Sequence, residues 1–452
     1  GSAAAEGLEL VQVQMTIRHG DRSAINMVPN ARRAGWSCAY SEELEQRVWH
    51  RRNRYDVVDV DGSPLMRELV PELLTSQEAK ALRGRRDKAG LCAPGQLTEE
   101  GLRQHLMLGA SVRRAYGGLL GWALPPESIS KGGGSAPAVR GRVGEGSAAS
   151  AGQGGATPSA AELYVRSTDY TRTLQSAAAF LLSFVPELDR VTMVTDKDEA
   201  GEVMHGVGLK SSSNVKGGGE KPILGTCDRA VSLSGVQNGL FRKRADIAER
   251  LAGLFGEEAG AKKMTELADN VHSRVCHNAS LPCSSKGCVD PALARSMMAE
   301  GDRQMCMRYM GAQGGKVSGA LAIYPFINEL LENMRHALDG SPVQFALYSG
   351  HDTVIAPVLA ALGAWDCAWP PYASHVGLEL WTARGTEVPR RTSFSGGEDG
   401  EFFAAGVEEP AAAADAELAG RAAGEEGEGG QGAFAGRTAG HGSGGAGGAP
   451  DA

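Results

Sequence analysis

Three segments of the chain carry the apolar patterns that are typical of β-strands. Residues 8–17 (LELVQVQMTI) alternate, so that positions 11, 13, 15 and 17 form one apolar face. The segments 163–165 (LYV) and 343–348 (VQFALY) are shorter and rich in β-branched and aromatic residues. A polar turn and then a helical pattern follow each of the three. This repeat predicts an α/β fold with a mostly parallel sheet flanked by helices.

The helical patterns have defined starts and stops. Apolar residues recur at helical spacing over residues 171–185, and Pro186 ends that pattern. Another helix is predicted to begin after Thr98, because threonine is a preferred N-cap and two glutamates follow it. The helix after the third strand covers residues 354–362, and Gly363 suits the left-handed position that ends many helices.

The rest of the chain divides by composition. Residues 231–310 are helical in pattern and lack strong strand signals, which predicts a smaller helical cap domain inserted between strands. The stretches 131–160 and 405–452 contain few large apolar side chains, so burial cannot offset the entropy of ordering them, and both are predicted to be disordered. We interpret residues 8–404 as one domain, whose α/β core comprises about residues 8–30, 95–205 and 311–404.

The charge balance restricts the class of partner. The chain has a formal net charge of −8 at pH 7 and a pI near 5.8, whereas nucleic-acid binding requires a basic face. A small anionic ligand remains compatible, because a local arginine cluster can oppose the global charge. No apolar run approaches the roughly 20 residues that span a bilayer. The chain begins with Gly1 rather than methionine, so any signal or anchor is expected to lie outside it.

The cysteines and one sequon favour the secretory pathway. None of the eight cysteines forms a CxxC pair, which argues against a zinc ribbon or a thioredoxin-like site. Cys276, Cys283 and Cys288 are closely spaced, and we predict that all three form disulfides, at least one of them local, with the remaining partner within 227–306. Asn278 opens an Asn-Ala-Ser glycosylation sequon in the same loop. The extracellular space, a lysosome or vacuole, or the Golgi lumen is the expected compartment.

Charged residues follow each of the three predicted strands. Residues 18–22 (RHGDR) follow the first, Arg166 ends the second, and His351-Asp352 follows the third. Ligands of open α/β sheets bind at the carboxyl ends of the strands, so these side chains are expected to converge at one edge. Any one of these motifs alone is more often a polar turn or a surface charge, and only their convergence favours a functional site.

The residue types suit phosphoryl transfer. Arginine guanidinium groups match phosphate oxygens and stabilise the charge of the transition state. A neutral histidine is a competent nucleophile towards phosphorus, and a carboxylic acid can protonate the leaving oxygen. No second cluster with metal-ligand spacing accompanies His351 and Asp352, so neither a metal nor another cofactor is predicted.

These motifs resemble those of a known family. Residues 18–23 (RHGDRS) are similar to the RHGxRxP signature of the histidine acid phosphatases, branch 2 of the histidine phosphatase superfamily. Residues 164–174 (YVRSTDYTRTL) resemble the second arginine segment of that family, and residues 349–353 (SGHDT) resemble its HD motif. Ala24 stands where the signature has proline, a departure that removes no functional group.

The resemblance implies a role for each matched residue. His19 is the implied nucleophile and Asp352 the implied proton donor of a metal-independent phosphomonoester hydrolase. The implied phosphate pocket consists of Arg18, Arg22, Arg166 and His351. Residues 95–109 (GQLTEEGLRQHLMLG) are similar to the subgroup that acts on 2-phosphoxylose, which makes a small-molecule or glycan phosphomonoester the expected partner.

Two other functions remain open at the level of sequence. A catalytically silent protein can use the same arginine pocket to bind phosphorylated or sulfated glycans, although it would have no need to keep His19 and Asp352. A phosphoryl-transfer mutase would have to shield its phosphohistidine from water. The sequence does not distinguish sugar, inositol, nucleotide, protein and lipid phosphates as substrates.

Overall fold

The computed structural model describes part of the chain. The described residues are 7–32, 36, 38, 41, 43–44, 54–65, 92–123, 156–196, 202–204, 244–311 and 317–386. Two stretches are predicted to be disordered, 131–160 and 405–452. Apart from residues 156–160, they lie outside the described ranges, so their disorder stays a prediction.

Six strands form one sheet in the order β2-β4-β3-β5-β1-β6. The strands are β1 (Leu8–Arg18), β2 (Tyr55–Asp59), β3 (Leu163–Ser167), β4 (Val191–Thr195), β5 (Phe345–Gly350) and β6 (His375–Ala383). Every neighbouring pair is parallel except β1 and β6, which are antiparallel. The predicted α/β fold with a mostly parallel sheet is therefore confirmed, and β2, β4 and β6 are added to the three predicted strands.

Strand β1 is buried on both faces rather than on one. The polar positions of its alternating pattern, Gln12 and Gln14, are each 1% exposed. The Gln12 amide donates to the carbonyls of Asn333 (3.3 Å) and Val343 (3.1 Å), and the Gln14 amide donates to the carbonyl of Leu330 (2.8 Å). These bonds satisfy the NH₂ groups of both amides, although Gln14 Oε1 has no hydrogen-bond partner among the described residues, so a strand with an alternating pattern lies inside the sheet.

Helices cover both faces of the sheet. They are α1 (Glu99–Tyr116), α2 (Thr171–Phe184), α3 (Ala245–Phe255), α4 (Glu257–Ala261), α5 (Met264–Cys276), α6 (Pro291–Met310), α7 (Val317–Leu338) and α8 (Asp352–Leu362). Helices α1 and α2 pack on one face through a core that includes Val112, Phe180 and Phe184. Helices α7 and α8 pack on the other face through Phe326 and Val354.

The predicted helix boundaries agree closely with the structure. The Thr98 hydroxyl accepts a hydrogen bond from the Gly101 N–H (3.2 Å), which confirms the N-cap of α1. Gly363 ends α8 in the left-handed conformation with φ 70°, as predicted. Helix α2 ends at Phe184, one residue earlier than expected, and α8 begins at Asp352, two residues earlier.

Helices α3 to α6 share a core of their own. Ile247, Leu251 and Phe255 of α3 pack against Leu267 of α5 and residues of α6. The described part of 231–310, residues 244–310, is helical and contributes no strand to the sheet. The boundaries of the predicted cap domain stay a prediction.

Three disulfides connect described cysteines: Cys38–Cys92, Cys283–Cys288 and Cys306–Cys367. The predicted local disulfide is thus Cys283–Cys288, which closes a tight turn. The prediction that Cys276 is also bonded is wrong for the described part of the chain. Helix α5 extends through Cys276 and leaves it exposed as a free thiol. Cys227 lies outside the described residues.

Candidate active site

The carboxyl ends of β1 and β5 lie side by side and bring two of the predicted motifs together. Arg18 pairs with Gly350 in the parallel register of the two strands, and the His19 N–H donates to the Gly350 carbonyl (2.9 Å). The His19 ring therefore lies 5.4 Å from the ring of His351, measured between centroids. The predicted convergence at one sheet edge is observed for these residues.

Two glycines allow the 18–22 loop to press against helix α1. A Cβ atom on Gly20 would lie 2.3 Å from the Gly101 carbonyl oxygen, and one on Gly101 would lie 2.2 Å from the Asp21 carbonyl oxygen. The contact is fixed by Thr98, whose N–H donates to the Asp21 carbonyl (3.0 Å) and whose hydroxyl donates to the Asp21 carboxylate (2.5 Å). The start of α1 thereby sets the path of the loop that carries His19.

His19 is buried and oriented. Its Nδ1 lies 2.9 Å from the Gly20 carbonyl oxygen; a carbonyl only accepts, so Nδ1 carries the proton and Nε2 keeps its lone pair. Burial lowers the pKa of His19 well below its ordinary value, and the charges of Arg18, Arg172 and Arg22 lower it further. The imidazole is therefore neutral, as a nucleophilic histidine must be.

Two of the predicted arginines are paired with buried carboxylates. Arg18 Nη2 lies 2.8 Å from Asp352 Oδ2, and the Arg18 guanidinium stacks 4.4 Å from the ring centroid of Tyr372. Arg22 Nη2 lies 2.6 Å from Asp269 Oδ1, so helix α5 supplies a carboxylate to the 18–22 loop. These pairs fix the guanidinium groups of both residues next to His19.

Arg166 differs from the prediction. Its Nη1 lies 2.7 Å from Glu329 Oε2 and its Nη2 lies 3.4 Å from Glu202 Oε1. Glu329 belongs to α7, so Arg166 points to the α7 face of the sheet. Because Arg166 lies within β3, strand alternation fixes this direction. Its charge is engaged by two carboxylates and is not among those that lower the pKa of His19.

Arg172 occupies the place that the sequence analysis gave to Arg166. It lies in the first turn of α2, and its Nη2 is 3.4 Å from His351 Nδ1. Its guanidinium stacks 4.5 Å from the ring centroid of Tyr170. No carboxylate of the described residues forms an ion pair with it, and burial together with the charge of Arg22 lowers its pKa to about 10. The signal was the second arginine of YVRSTDYTRTL, which follows the strand instead of lying within it.

His351 and Asp352 mark the start of α8. His351 Nε2 lies 3.0 Å from the Thr168 hydroxyl, which ties it to the loop after β3. Asp352 Oδ2 accepts from Arg18 Nη2 and from the indole N–H of Trp369, both at 2.8 Å. Burial raises the pKa of Asp352, but the Arg18 charge, the Trp369 hydrogen bond, the Arg22 charge and a backbone N–H outweigh it, so the pKa lies below its usual value.

A segment that the sequence analysis did not assign to the site completes it. Residues 369–372 (WPPY) place Trp369 on Asp352 and the Tyr372 ring 5.7 Å from that of His19. The Tyr372 hydroxyl lies 2.8 Å from the Ser273 hydroxyl of α5. Residues 370–375 (PPYASH) follow the HD motif closely in sequence, but loop residues carry no periodicity that would reveal their contacts.

The site is positively charged overall. Arg18 and Arg22 are each paired with a carboxylate, whereas Arg172 adds an uncompensated charge. Within the described ranges, no group of three or more His, Cys, Asp or Glu residues is arranged to hold a metal ion. None of the described helices combines the length and apolar character needed to cross a membrane. The arrangement suits a phosphate or a similar anion.

Comparison with known proteins agrees with the motifs. The family model described as histidine phosphatase superfamily (branch 2) matches residues 9–130 and 311–394. The 2-phosphoxylose phosphatase 1 of Homo sapiens is 25% identical over 389 residues, which cover 83% of this chain and 68% of that protein. The lysophosphatidic acid phosphatase type 6 of Mus musculus is 25% identical over 380 residues, which cover 83% and 76%.

Among solved structures, the apo form of Hafnia alvei phytase matches 83% of this chain and 82% of its own, with 14% identity and a TM-score of 0.45. The curated relatives are phosphatases by name, which supports hydrolase activity on phosphomonoesters. The match of the family model, the relatives and the motifs at the ends of β1 and β5 agree: the chain is similar to the histidine phosphatase superfamily, branch 2.

Proposed function

We propose that the chain hydrolyses phosphomonoesters through a phosphohistidine formed on His19, with Asp352 as the proton donor. The observation that carries the proposal is Arg172, a half-buried guanidinium without a carboxylate partner among the described residues, beside a histidine that is held neutral. Burying an uncompensated cation costs free energy, and an anionic ligand removes that cost.

The phosphate pocket in this proposal consists of Arg18, Arg22, Arg172 and His351. Besides burial, the charges of all three arginines lower the pKa of His19, so the guanidinium groups lie close to the proposed nucleophile. Such groups suit phosphate oxygens. Arg172 replaces Arg166 as the third arginine. Arg166 instead holds Glu202 and Glu329 together behind β3.

Catalysis takes place in two displacements. The lone pair of His19 Nε2 attacks phosphorus, the bond to the leaving oxygen breaks, and Asp352 transfers its proton to that oxygen. Water then attacks the phosphohistidine and gives a proton to the Asp352 carboxylate, which releases inorganic phosphate and restores both residues. The arginines stabilise the charge on the transferred group in both steps.

Proton donation requires that Asp352 is protonated when substrate is bound. Its pKa is low because Arg18 and Trp369 stabilise the carboxylate. A phosphate group on the arginines brings negative charge next to Asp352 and engages Arg18, and both effects raise the pKa of the carboxyl group. This requirement favours an acidic working range.

The substrate class and the compartment are part of the same proposal. A phosphorylated glycan such as 2-phosphoxylose is the substrate that the similarity to 2-phosphoxylose phosphatase 1 favours. Three disulfides favour an oxidising compartment of the secretory pathway. Asn278, in the loop after α5 with φ 49°, is the proposed glycosylation site. No metal ion is required, so a chelator is expected to leave turnover unchanged.

A silent binder of phosphorylated or sulfated glycans is the alternative. The observation that favours it is the lowered pKa of Asp352, because a binder has no need of the protonated acid. The two functions differ in turnover. A screen of phosphomonoesters from about pH 4 to pH 8 separates them, since a binder releases no phosphate from any of them.

Replacement of the nucleophile tests the mechanism. His19→Ala is expected to abolish turnover and to keep vanadate binding, because the arginines remain. Rapid quenching of the parent protein with labelled substrate is expected to trap an acid-labile, base-stable phosphoenzyme. His336→Ala, an exposed position on α7, is the matched control and should retain full activity. Substantial turnover in His19→Ala would exclude His19 as the nucleophile.

A further inference from the structure

Trp369 contacts the carboxyl group that is proposed as the proton donor. Its indole N–H donates to Asp352 Oδ2 at 2.8 Å, and Arg18 Nη2 donates to the same oxygen at 2.8 Å. Two donors on one oxygen oppose protonation there. A proton on the carboxyl group therefore resides on Oδ1, and the direction in which it can be transferred is fixed.

The segment that carries Trp369 is attached to helix α6 at three points. The Trp369 N–H donates to Asp302 Oδ1 (3.3 Å), and the disulfide Cys306–Cys367 links the same helix to the chain two residues before the indole. The indole ring also packs over Gly301, where an added Cβ atom would lie 3.4 Å from Trp369 Cζ3. The indole is thus held by the helices and not by its own loop.

Helix α5 covers the other side of the indole. The His272 ring lies 5.3 Å from the Trp369 ring, measured between centroids, at an interplanar angle of 44°. His272 Nε2 is buried, lies 3.8 Å from Asp302 Oδ1 and has no closer polar partner among the described residues. His272 and Asp302 therefore enclose Trp369 from two helices, and the ring has little freedom to leave Asp352.

We infer that Trp369 is a positioning residue: its N–H holds the Asp352 carboxyl group so that Oδ1 faces the leaving oxygen. This inference rests on the proposed role of Asp352. The same N–H stabilises the carboxylate form, so it also sets the pH above which the acid is lost. Trp369 thereby links the packing of α5 and α6 to the protonation of the reacting centre.

Trp369→Phe keeps an aromatic ring and removes the N–H. We expect single-turnover phosphorylation by an alkyl phosphate to slow by about 10-fold at the pH optimum. In the pH–rate profile of this reaction, the fall in rate at high pH (the alkaline limb) should move to higher pH by about one unit. The reason is that the Asp352 carboxylate loses a stabilising donor. Phosphorylation by p-nitrophenyl phosphate, whose leaving group needs little protonation, should change less than about 2-fold.

Trp365→Phe is the matched control. Trp365 lies in the same segment, and its indole N–H donates to the Ala368 carbonyl (2.9 Å) rather than to Asp352. It should leave the alkaline limb where it is. A melting curve of each variant establishes that it is folded; should Trp369→Phe fail that check, Trp369→Leu, which also removes the indole N–H, is expected to give the same upward shift.

A double variant separates this inference from the mechanism on which it rests. If Trp369 acts through Asp352, adding Trp369→Phe to Asp352→Asn should cost no further rate on alkyl phosphates. Additive losses, or an alkaline limb that does not move in Trp369→Phe, would overturn the inference and leave the role of Asp352 intact. Equal losses of Asp352→Asn on alkyl and aryl phosphates would instead refute the proposed proton donor.

Discussion

Replacing Arg172 by glutamine should make the protein more stable and less able to bind phosphate. The side chain is half-buried, no carboxylate within the described ranges pairs with it, and burial together with the charge of Arg22 lowers its pKa to about 10. At neutral pH the residue is protonated in both the folded and the unfolded chain, so the folded state bears the full cost of the shift. A lowering of this size corresponds to about 3 kcal/mol of free energy.

Part of this gain in the free energy of unfolding is offset by a lost contact. Glutamine cannot reproduce the stacking of the guanidinium on Tyr170, which contributes about 1 kcal/mol. Arg172→Gln is therefore expected to raise the free energy of unfolding by about 1–2 kcal/mol. The same change removes a charge-assisted contact to phosphate of about 1.5–3 kcal/mol, which weakens phosphate or vanadate binding by roughly 10- to 100-fold.

Urea denaturation with and without inorganic phosphate measures both effects. Phosphate should stabilise the parent protein, and Arg172→Gln should respond only at much higher concentrations. Arg166→Gln is the contrast, since it leaves Glu202 and Glu329 buried without their cation. That variant should lose stability and keep its response to phosphate. If Arg166→Gln lost the response and Arg172→Gln kept it, the assignment of Arg172 to the pocket would be refuted.

The remaining predictions concern three other groups. Asp352→Asn should slow phosphoenzyme formation on the order of 10²-fold or more with alkyl phosphates and far less with p-nitrophenyl phosphate, as single-turnover kinetics would show. Burial raises the pKa of Glu202 from 4.5 to about 7 despite the charge of Arg166. The contribution of Glu202 to the free energy of unfolding is therefore fully present below about pH 4.5, and it is lost as the pH rises through about 7. Glu202→Gln should remove that trend in denaturation curves and gain at most about 3 kcal/mol at higher pH. Alkylation of the folded, non-reduced protein should label Cys276, and digests should contain a Cys283–Cys288 bridge; a bridged Cys276 would contradict the structure.

The sequence predicts the parts of the site that stand next to a strand. His19 and Asp352 follow β1 and β5 directly, so strand patterns and the position of ligands in parallel sheets suffice to bring them together. Arg166 lies in β3, as the strand pattern predicts, but the pattern alone does not give the direction of its side chain. Inside a strand, alternate side chains point to opposite faces, and this one points to α7.

Other features depend on contacts that no local pattern contains. Trp369 and Tyr372 reach the site because a disulfide and two helices hold their loop. Gln12 and Gln14 are polar positions, yet carbonyl groups of α7 and of the segment before β5 accept hydrogen bonds from their buried NH₂ groups. The edge strand β6 alternates between exposed and half-buried positions and shows no fully buried residue that would have revealed it.

The position of β1 in the sheet has a consequence for how the chain folds. Both neighbours of this strand, β5 and β6, lie near the other end of the described chain, and Gln12 donates to a residue 321 positions away. Closing so long a loop carries an entropic cost before any contact compensates for it, and such topologies fold slowly. During synthesis, β1 emerges before the other strands and has no partner until β5, which ends at Gly350, has left the ribosome. A chain terminated before β5 therefore has no neighbour for its central strand, so it cannot form the sheet edge that carries His19.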